Sequence, residues 1–147
     1  TLSYVSGPAT VTPIAGSNDV LVTLTGAGTV VVKGTQLGDA TYAATTLSRS
    51  ITVSKATTVT TLVSSANPSV IGSTVTFTAK VTSTAGIPTG TVTFTVGGVV
   101  SAPVAVDAFG FATFDIASPA PLSTTVKTTY SGSVNFNTSS SATITQK

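Results

Sequence analysis

Apolar and polar residues alternate along several stretches of the second half of the chain. Every second residue is apolar between Val75 and Val81, and the same period returns at residues 91–96 and 111–116. Successive side chains of a β-strand point to opposite faces of the sheet, so this period predicts strands with one buried and one exposed face. The residues predicted to lie inside are Val75, Phe77, Val92, Phe94, Phe114, Ile116 and Val126.

Turn-forming residues separate these strands. Asn67-Pro68 and Gly97-Gly98 are turn dipeptides, and the segment from Asp107 to Gly110 has the Asp and Gly that a β-turn favours at its ends. The predicted strands of this half are residues 59–64, 73–83, 91–96, 99–106, 111–116, 124–130 and 142–145. Short strands without an amphipathic helix predict an all-β immunoglobulin-like β-sandwich, in which two antiparallel sheets pack face to face.

The first part of the chain resembles the end of the second part at an offset of 94 residues. The matched positions are Val32 with Val126, Lys33 with Lys127, Gly38 with Gly132, Tyr42 with Phe136 and, after one deletion, Ser50-Ile51-Thr52 with Thr143-Ile144-Thr145. This spacing suits a sandwich of about 100 residues. It predicts a tandem repeat, with Tyr42 and Phe136 as equivalent aromatic anchors of the two units.

The repeat divides the chain between residues 54 and 55. Residues 55–147 are predicted to form a complete sandwich, whereas residues 1–54 have four predicted strands, at 2–5, 20–25, 29–35 and 48–54. By the repeat register these are the later strands of a sandwich, so the first unit is predicted to be N-terminally truncated. The inner residues Val22, Leu24, Val30 and Val32 would then be exposed to water. We therefore expect residues 1–54 to be completed by another polypeptide or to lean on the second unit.

Composition favours a folded β-protein with a hydroxyl-rich surface. Charged residues are 7% of the chain, and its polar surface comes from 32 Thr and 19 Ser. Thr and the 21 Val are β-branched and favour strands, whereas disordered segments have few such residues and a high net charge. The six basic residues are scattered and the net charge is only +2, so no nucleic-acid interface is predicted. No apolar run approaches the ~20 residues of a membrane-inserted helix.

The residue types that carry most enzymatic chemistry are missing. The chain has no His, Cys or Glu, and its carboxylates are Asp19, Asp39, Asp107 and Asp115. A hydroxyl nucleophile therefore lacks its usual base. Asp19 and Asp107 fall in or beside predicted turns, where Asp accepts hydrogen bonds from its own backbone. Asp39 could join a calcium site at an interdomain junction, but the second unit has Ser133 at the matching position, so a turn role is predicted for Asp39 too. We predict no catalytic residue, no metal site, no cofactor and no enzymatic activity.

Three further types of site have a structural alternative. An isopeptide bond from Lys80 to Asn135 or Asn137 would need a buried acid beside the pair, usually a Glu, and the chain has none. Tyr4, Tyr42 and Tyr130 are candidates for stacking on a sugar, but core packing or a tyrosine-corner hydrogen bond is the prediction for Tyr42 and Tyr130. The glycines of Gly26-Ala27-Gly28 and Gly97-Gly98 lack the strand-to-helix context of a phosphate loop and predict hairpin turns.

Several short motifs resemble a known family. In the first unit they are Tyr4-Val5-Ser6-Gly7-Pro8, Leu24-Thr25-Gly26 and Gly38-Asp39-Ala40-Thr41-Tyr42; in the second they are Pro88-Thr89-Gly90-Thr91-Val92-Thr93-Phe94, Gly110-Phe111-Ala112 and Tyr130-Ser131-Gly132. Together they resemble the bacterial Ig-like repeats of large secreted and cell-surface proteins. The chain departs from the family pattern at Ser133, where members often carry Asp.

The resemblance implies an extracellular or cell-surface protein whose partners are neighbouring Ig-like repeats. It implies a non-catalytic structural spacer or stalk module, and the alternative is an adhesin-type module that recognises a glycan or a protein through its end loops. Exposed aromatic or apolar residues at those loops would favour binding, whereas a uniformly hydroxylated surface would favour the spacer.

Overall fold

The computed structural model describes residues 2–17, 19–117 and 123–147, with the backbone alone at residues 2, 4 and 5. These residues form fourteen β-strands and no helix, and the paired strands are antiparallel. The predicted all-β immunoglobulin-like class is therefore confirmed. The chain separates into two compact units, Thr1–Lys55 and Ala56–Lys147.

The strands have the following bounds. The first unit contains β1 (Leu2–Ser6), β2 (Ala9–Pro13), β3 (Val20–Leu24), β4 (Gly28–Gln36) and β5 (Thr45–Val53). The second contains β6 (Val59–Ser64), β7 (Thr74–Thr82), β8 (Thr91–Val96), β9 (Val99–Val100), β10 (Val104–Ala105), β11 (Phe111–Ala117), β12 (Thr124–Tyr130), β13 (Ser139–Ser140) and β14 (Ile144–Gln146).

The second unit has two sheets. One has the strand order β11-β7-β6, and the other has the order β10-β8-β12-β13, with β14 also on β12 and β9 also on β8. The predicted strand at 99–106 is thus two short strands, because Pro103 lies between them and has no N–H to donate to a ladder. The register places Phe77 opposite Phe114 and Thr128 opposite Phe94.

The core of the second unit contains most of the residues that alternation predicted. Val75, Phe77, Val92, Phe94 and Val126 are fully buried, together with Tyr130 and Val81. Phe114 and Ile116 are only half-buried, because β11 is an edge strand of its sheet. Phe114 nevertheless stacks on Phe94, with ring centroids 5.4 Å apart. These two side chains lie on the inner face as predicted, but they are less buried than predicted.

The first unit has a three-stranded sheet, β1-β4-β5, and a two-stranded sheet, β2-β3. The strand β2 was not predicted, because Ala9–Pro13 is short, follows Gly7-Pro8 and ends in a proline. Val11 lies opposite Val22 in this hairpin, and both are half-buried.

The inner residues of the first unit differ from one another in burial. Val30 is fully buried, so the expectation that it would be exposed is wrong; Val22 and Val32 are half-buried and Leu24 is 45% exposed. The neighbouring strand β5 of the same sheet is exposed, with Leu47 59% exposed. The small unit therefore has enough apolar surface to cover one central valine but not the rows around it.

Two details of the repeat are corrected by the structure. Tyr42 is 63% exposed, whereas Phe136 is buried, so Tyr42 is not an anchor of the core. Phe136 is covered where Ala56 bridges to it, and no described strand of the first unit plays that part. The alignment beyond Tyr42 is also shifted by two residues, because Ile51 lies opposite Val30 while Ile144 lies opposite Val126, the match of Val32.

Candidate functional site

The carboxylates of Asp39 and Asp107 are bound by their own turns. Asp39 Oδ1 accepts hydrogen bonds from the backbone N–H groups of Thr41 and Tyr42, both at 2.8 Å, and these bonds lower the pKa of the Asp39 carboxyl. Asp107 Oδ1 accepts bonds from the N–H groups of Phe111 and Phe109, also at 2.8 Å, which lower the pKa of its carboxyl in the same way. Each carboxylate is a turn-stabilising acceptor.

The other two aspartates bind hydroxyl groups. Ser17 donates to Asp19 Oδ2 at 2.7 Å, and Thr76 donates to Asp115 Oδ1 at 2.6 Å. The described residues contain no group of three or more acidic, His or Cys side chains that could hold a metal ion.

Lys80 and the two asparagines have separate surroundings. The Lys80 ammonium lies 4.8 Å from the centre of the Phe111 ring, a cation–π arrangement on the outer face of the β11-β7-β6 sheet. The backbones of Asn135 and Asn137 instead pair with Ala56, through bonds of 2.8 and 2.9 Å. Lys80 therefore has a half-buried aromatic partner rather than the buried acid that isopeptide chemistry needs.

Tyr130 ties a loop to the core. Its ring is fully buried, and its hydroxyl donates to the carbonyl oxygen of Thr89, just before β8 begins. This is the tyrosine-corner type of contact expected for Tyr130. Gly90, the next residue, has no room for a side chain, since a Cβ there would lie 2.7 Å from the carbonyl oxygen of Gly132.

Two open clefts carry exposed apolar residues. One, of about 320 Å³, is lined by residues 81–84, by 86–88 and by Phe109, whose side chain is 75% exposed. The other, of about 420 Å³, lies over the stacked Phe94 and Phe114 and is bordered by Val99 and Val100. Neither cleft brings together titratable groups that could act as an acid and a base.

The richest polar arrangement joins the first and last segments of the second unit, a seam formed by residues 56–69 and 135–147. At its start, the N–H of Ala56 donates to the carbonyl oxygen of Asn135, and the carbonyl oxygen of Ala56 accepts from the N–H of Asn137. These two bonds make a parallel bridge between Ala56 and Phe136. From Ala56 to Ser64, the residue numbers of the partners rise along both segments, from Phe136 through Ser139 to Gln146, so the two segments run in parallel. They are sequence-distant neighbours, about 80 residues apart in every pair.

Three hydroxyl groups form the middle of the seam. Thr58 Oγ1 donates to Asn137 O at 2.9 Å and lies 2.7 Å from Ser139 Oγ. Ser139 Oγ in turn lies 2.7 Å from Thr60 Oγ1, and Thr60 is buried. These short side-chain contacts take the place that backbone ladder bonds would have in a sheet.

Gln146 is the centre of the far half of the seam. Its side chain is fully buried, its Oε1 accepts from Ser64 Oγ at 2.7 Å, and its Nε2 donates to Ala66 O at 2.7 Å. Nε2 also lies 3.3 Å from Ser69 Oγ. A buried amide is stable only when its donors and acceptor are satisfied, and here they bind Ser64, the last residue of β6, and the segment that follows it.

Asn67 and Ser69 close the seam at its exposed end. Asn67 Nδ2 donates to Thr145 O at 2.8 Å, and Asn67 Oδ1 accepts from Lys147 N at 3.0 Å. The backbone N–H of Ser69 donates to Lys147 O at 2.7 Å. Thr145 and Lys147 are therefore bound to the residues that follow β6.

Sequence reasoning did not identify the seam. Thr58, Thr60, Ser64 and Ser139 are hydroxyl residues in a chain that has 51 of them, as 32 Thr plus 19 Ser, so nothing marked them out. Gln146 did carry a signal. It lies two residues after Ile144 and therefore shares the inward face of β14, where an amide must find buried partners.

Comparison with known proteins agrees with this fold. The model of the bacterial Ig-like domain family, group 3, matches residues 61–147, more than half of the chain. No curated protein and no solved structure matches the chain. Bacterial Ig-like domains are typically modules of extracellular and surface proteins and are generally non-catalytic. The described residues include no helix that is long and apolar enough to cross a membrane. With both the sandwich and the family match in place, the chain belongs to the bacterial Ig-like domain family, group 3.

Proposed function

We propose that this chain is a non-catalytic structural spacer, or stalk module, of a bacterial extracellular or cell-surface protein. The observation that carries the proposal is the parallel course of the seam. The second unit begins with Ala56 beside Phe136 and ends with Lys147 beside Asn67, so the polypeptide enters at one end and leaves at the other. A unit of this kind adds its full length to a stalk of neighbouring repeats.

The length that each unit adds follows from strand geometry. Asn67 comes eleven residues after Ala56, and an extended strand rises about 3.3 Å per residue, so the distance is at most roughly 35 Å, because the chain bends after β6 at residues 65 and 67. The buried core and the two-sheet packing hold this distance, since closely packed interiors deform little. A spacer needs this rigidity and needs no catalytic group.

Distance measurement between two spin labels tests the proposal. The chain has no Cys, so Thr57→Cys with Thr145→Cys gives two unique sites at opposite ends. We expect one narrow distribution of distances at roughly 30 Å, set by the strand rise. The matched control, Thr57→Cys with Thr138→Cys, places both labels at the same end and should give a much shorter distance. A broad distribution for the first pair would contradict a rigid spacer.

A second candidate function is recognition of a glycan or a protein through the end loops. The observation in its favour is the cleft that Phe109 and Ile87 border, because exposed aromatic and apolar side chains at loops are typical of binding surfaces. Retention of the chain on a glycan array or on surface-protein extracts would support it if Phe109→Ser abolished the retention and Val99→Ser, in the other cleft, did not. The spacer proposal expects no retention in any of the three proteins.

We also propose that residues 1–54 are the later half of a sandwich that other strands complete. The 94-residue offset matches β3 to β11 and β4 to β12. In the second unit β11 pairs with β7, whereas β3 pairs only with β2 among the described strands. Leu24, Leu47 and Ile51 are exposed in the first unit and offer an apolar surface to completing strands.

A further inference from the structure

We propose that the seam is the element of the second unit that resists tension along the stalk. This inference rests on the proposed spacer function, because a module that holds another domain away from a surface is pulled at its two ends. The pull then acts on Ala56 at one end and on Lys147 at the other. Both residues belong to the seam, so the force reaches it before any other part of the unit.

The direction of the strands decides how the seam is loaded. Residues 56–69 and 135–147 lie side by side and run in parallel. Pulling the two ends apart therefore slides one segment along the other, against bonds that lie across the direction of motion. All of these bonds must stretch together, whereas peeling would break them one after another. Forced unfolding is governed by the unfolding barrier, and simultaneous rupture makes that barrier high.

The seam is built mainly from side chains, so the amino-acid sequence controls it. The backbone of β6 pairs with β7, and its side chains cross to the other sheet. Thr58 and Thr60 meet Ser139, and Ser64 meets Gln146. Thr60 and Gln146 are buried, so water does not readily replace their bonds while the segments slide.

A substitution at Gln146 can remove hydrogen bonds of the seam and still keep the packing of the core. Apart from the neighbouring Lys147, every partner of its amide lies between Ser64 and Ser69. A leucine would fill a similar volume in the same inward position without binding that segment. The amide therefore connects β14 to the end of β6 and to the residues that follow it, at the end of the unit opposite to Ala56.

Single-molecule force spectroscopy of the whole chain tests the inference. The seam variants are Gln146→Leu and the double variant Thr58→Val with Ser139→Ala. The control is Thr76→Val, which removes a hydroxyl bond of similar length, to Asp115, between β7 and β11. We expect the seam variants to unfold roughly tenfold faster at the same force, the effect of losing two or three hydrogen bonds that are mostly part-buried, and the control to change less than about twofold.

Equilibrium unfolding in urea shows whether the effect is mechanical. The inference is contradicted if the seam variants unfold under force no faster than the control once their free energies of unfolding are matched. It is supported if they weaken under force more than their equilibrium stability predicts. The distance measurement above is independent of this result, so the spacer function can hold even where the seam proves mechanically unimportant.

The pulling direction gives a second test that needs no change in the seam. Tension through cysteines at positions 57 and 145 slides the segments, whereas tension through cysteines at positions 57 and 138 peels them from one end. We expect a clearly higher unfolding force for the first geometry. Equal forces in the two geometries would overturn the inference, even if every seam variant failed to fold.

Discussion

A single hydroxyl group has very different consequences at different positions of this chain. Thr60 and Ser139 bind each other within the seam, and the exposed Thr129 meets Ser140 on the outer face of the sheet. Thr128 is fully buried opposite Phe94, and its Oγ1 has no hydrogen-bond partner among the described residues. A buried hydroxyl without a partner costs free energy.

Replacing Thr128 with valine should therefore stabilise the second unit. Valine has nearly the same shape and removes the unsatisfied oxygen, so we expect the free energy of unfolding to rise by about 1 kcal/mol. The urea midpoint measures this change. Thr129→Val, on the exposed face of the same strand, serves as the control and should change stability by less than about 0.5 kcal/mol. A destabilised T128V protein would show that the hydroxyl has a partner after all.

Phe94 is the residue whose loss should cost most. Its ring is fully buried and stacks on Phe114, so Phe94→Ala opens a cavity in the centre of the core. We expect a loss of about 3–5 kcal/mol in the free energy of unfolding. Phe109→Ala removes the same ring from a 75% exposed position and should change stability by less than about 0.5 kcal/mol. Similar losses in both variants would contradict the assigned core.

Asp107 should make stability depend on pH. Its carboxyl pKa is lowered in the folded state by hydrogen bonds from Phe111 and Phe109, relative to an ordinary value of 3.8. A lowered folded pKa means that the bonds contribute fully above the ordinary value and are lost as pH falls through the folded pKa. We expect the melting temperature of Asp107→Ala to approach that of the parent protein as pH falls from 5 toward 2. A constant difference across this range would rule out the ionised carboxylate as the source.

At the level of elements, strand ends are held by close contacts between loops. Gly90 precedes β8 with a φ of 128°, and the carbonyl oxygen of Gly132, after β12, lies against it. Tyr130 adds its bond to Thr89 at the same point. Two adjacent strands of one sheet are therefore fixed where they end, at a place with no room for a β-carbon.

Gly90→Ala should destabilise the second unit by more than backbone strain alone. Alanine at a positive φ is strained, and here its Cβ would also lie 2.7 Å from Gly132 O. Gly86→Ala is the matched control, since Gly86 has a φ of 118° with nothing within 4 Å. We expect G90A to lose roughly 1–3 kcal/mol more than G86A in urea unfolding, the range for enforced local strain. Equal losses would show that Gly132 moves aside without cost.

At the scale of the whole molecule, the two units differ in how completely they bury their apolar residues. The second unit encloses a core of aromatic and aliphatic residues, whereas in the first unit Val30 is the one fully buried apolar side chain among those described. Leu24, Leu47 and Ile51 remain exposed, and β5 offers a nine-residue edge. Exposed apolar rows beside an unpaired edge favour association.

The chain should therefore self-associate through its first unit. Sedimentation velocity should show oligomers of residues 1–147 at micromolar concentration, and residues 55–147 should sediment as a monomer. The double variant Leu24→Ser with Leu47→Lys should shift the full chain toward the monomer, while Thr46→Lys, on the other face of β5, should not. A monomeric full chain would mean that the first unit needs no completing strands.

The alternation of residues along the chain by itself determined the strand-rich fold and most of the core. Period two separates inward from outward positions whatever lies opposite, so Val75, Phe77, Val92, Phe94 and Val126 could be assigned without knowing their neighbours. Turn-forming residues likewise placed Asp107 in its turn, because a turn is formed by residues adjacent in sequence.

Only the tertiary structure decided which inward residues meet. Gln146 and Ser64 are 82 residues apart and bind because two sheets pack face to face, a relation that alternation does not encode. Phe136 is buried and its repeat partner Tyr42 exposed for the same reason, since burial depends on whether another strand covers the site. Local pattern assigns a side chain to a face of its strand, and long-range packing determines what that face contacts.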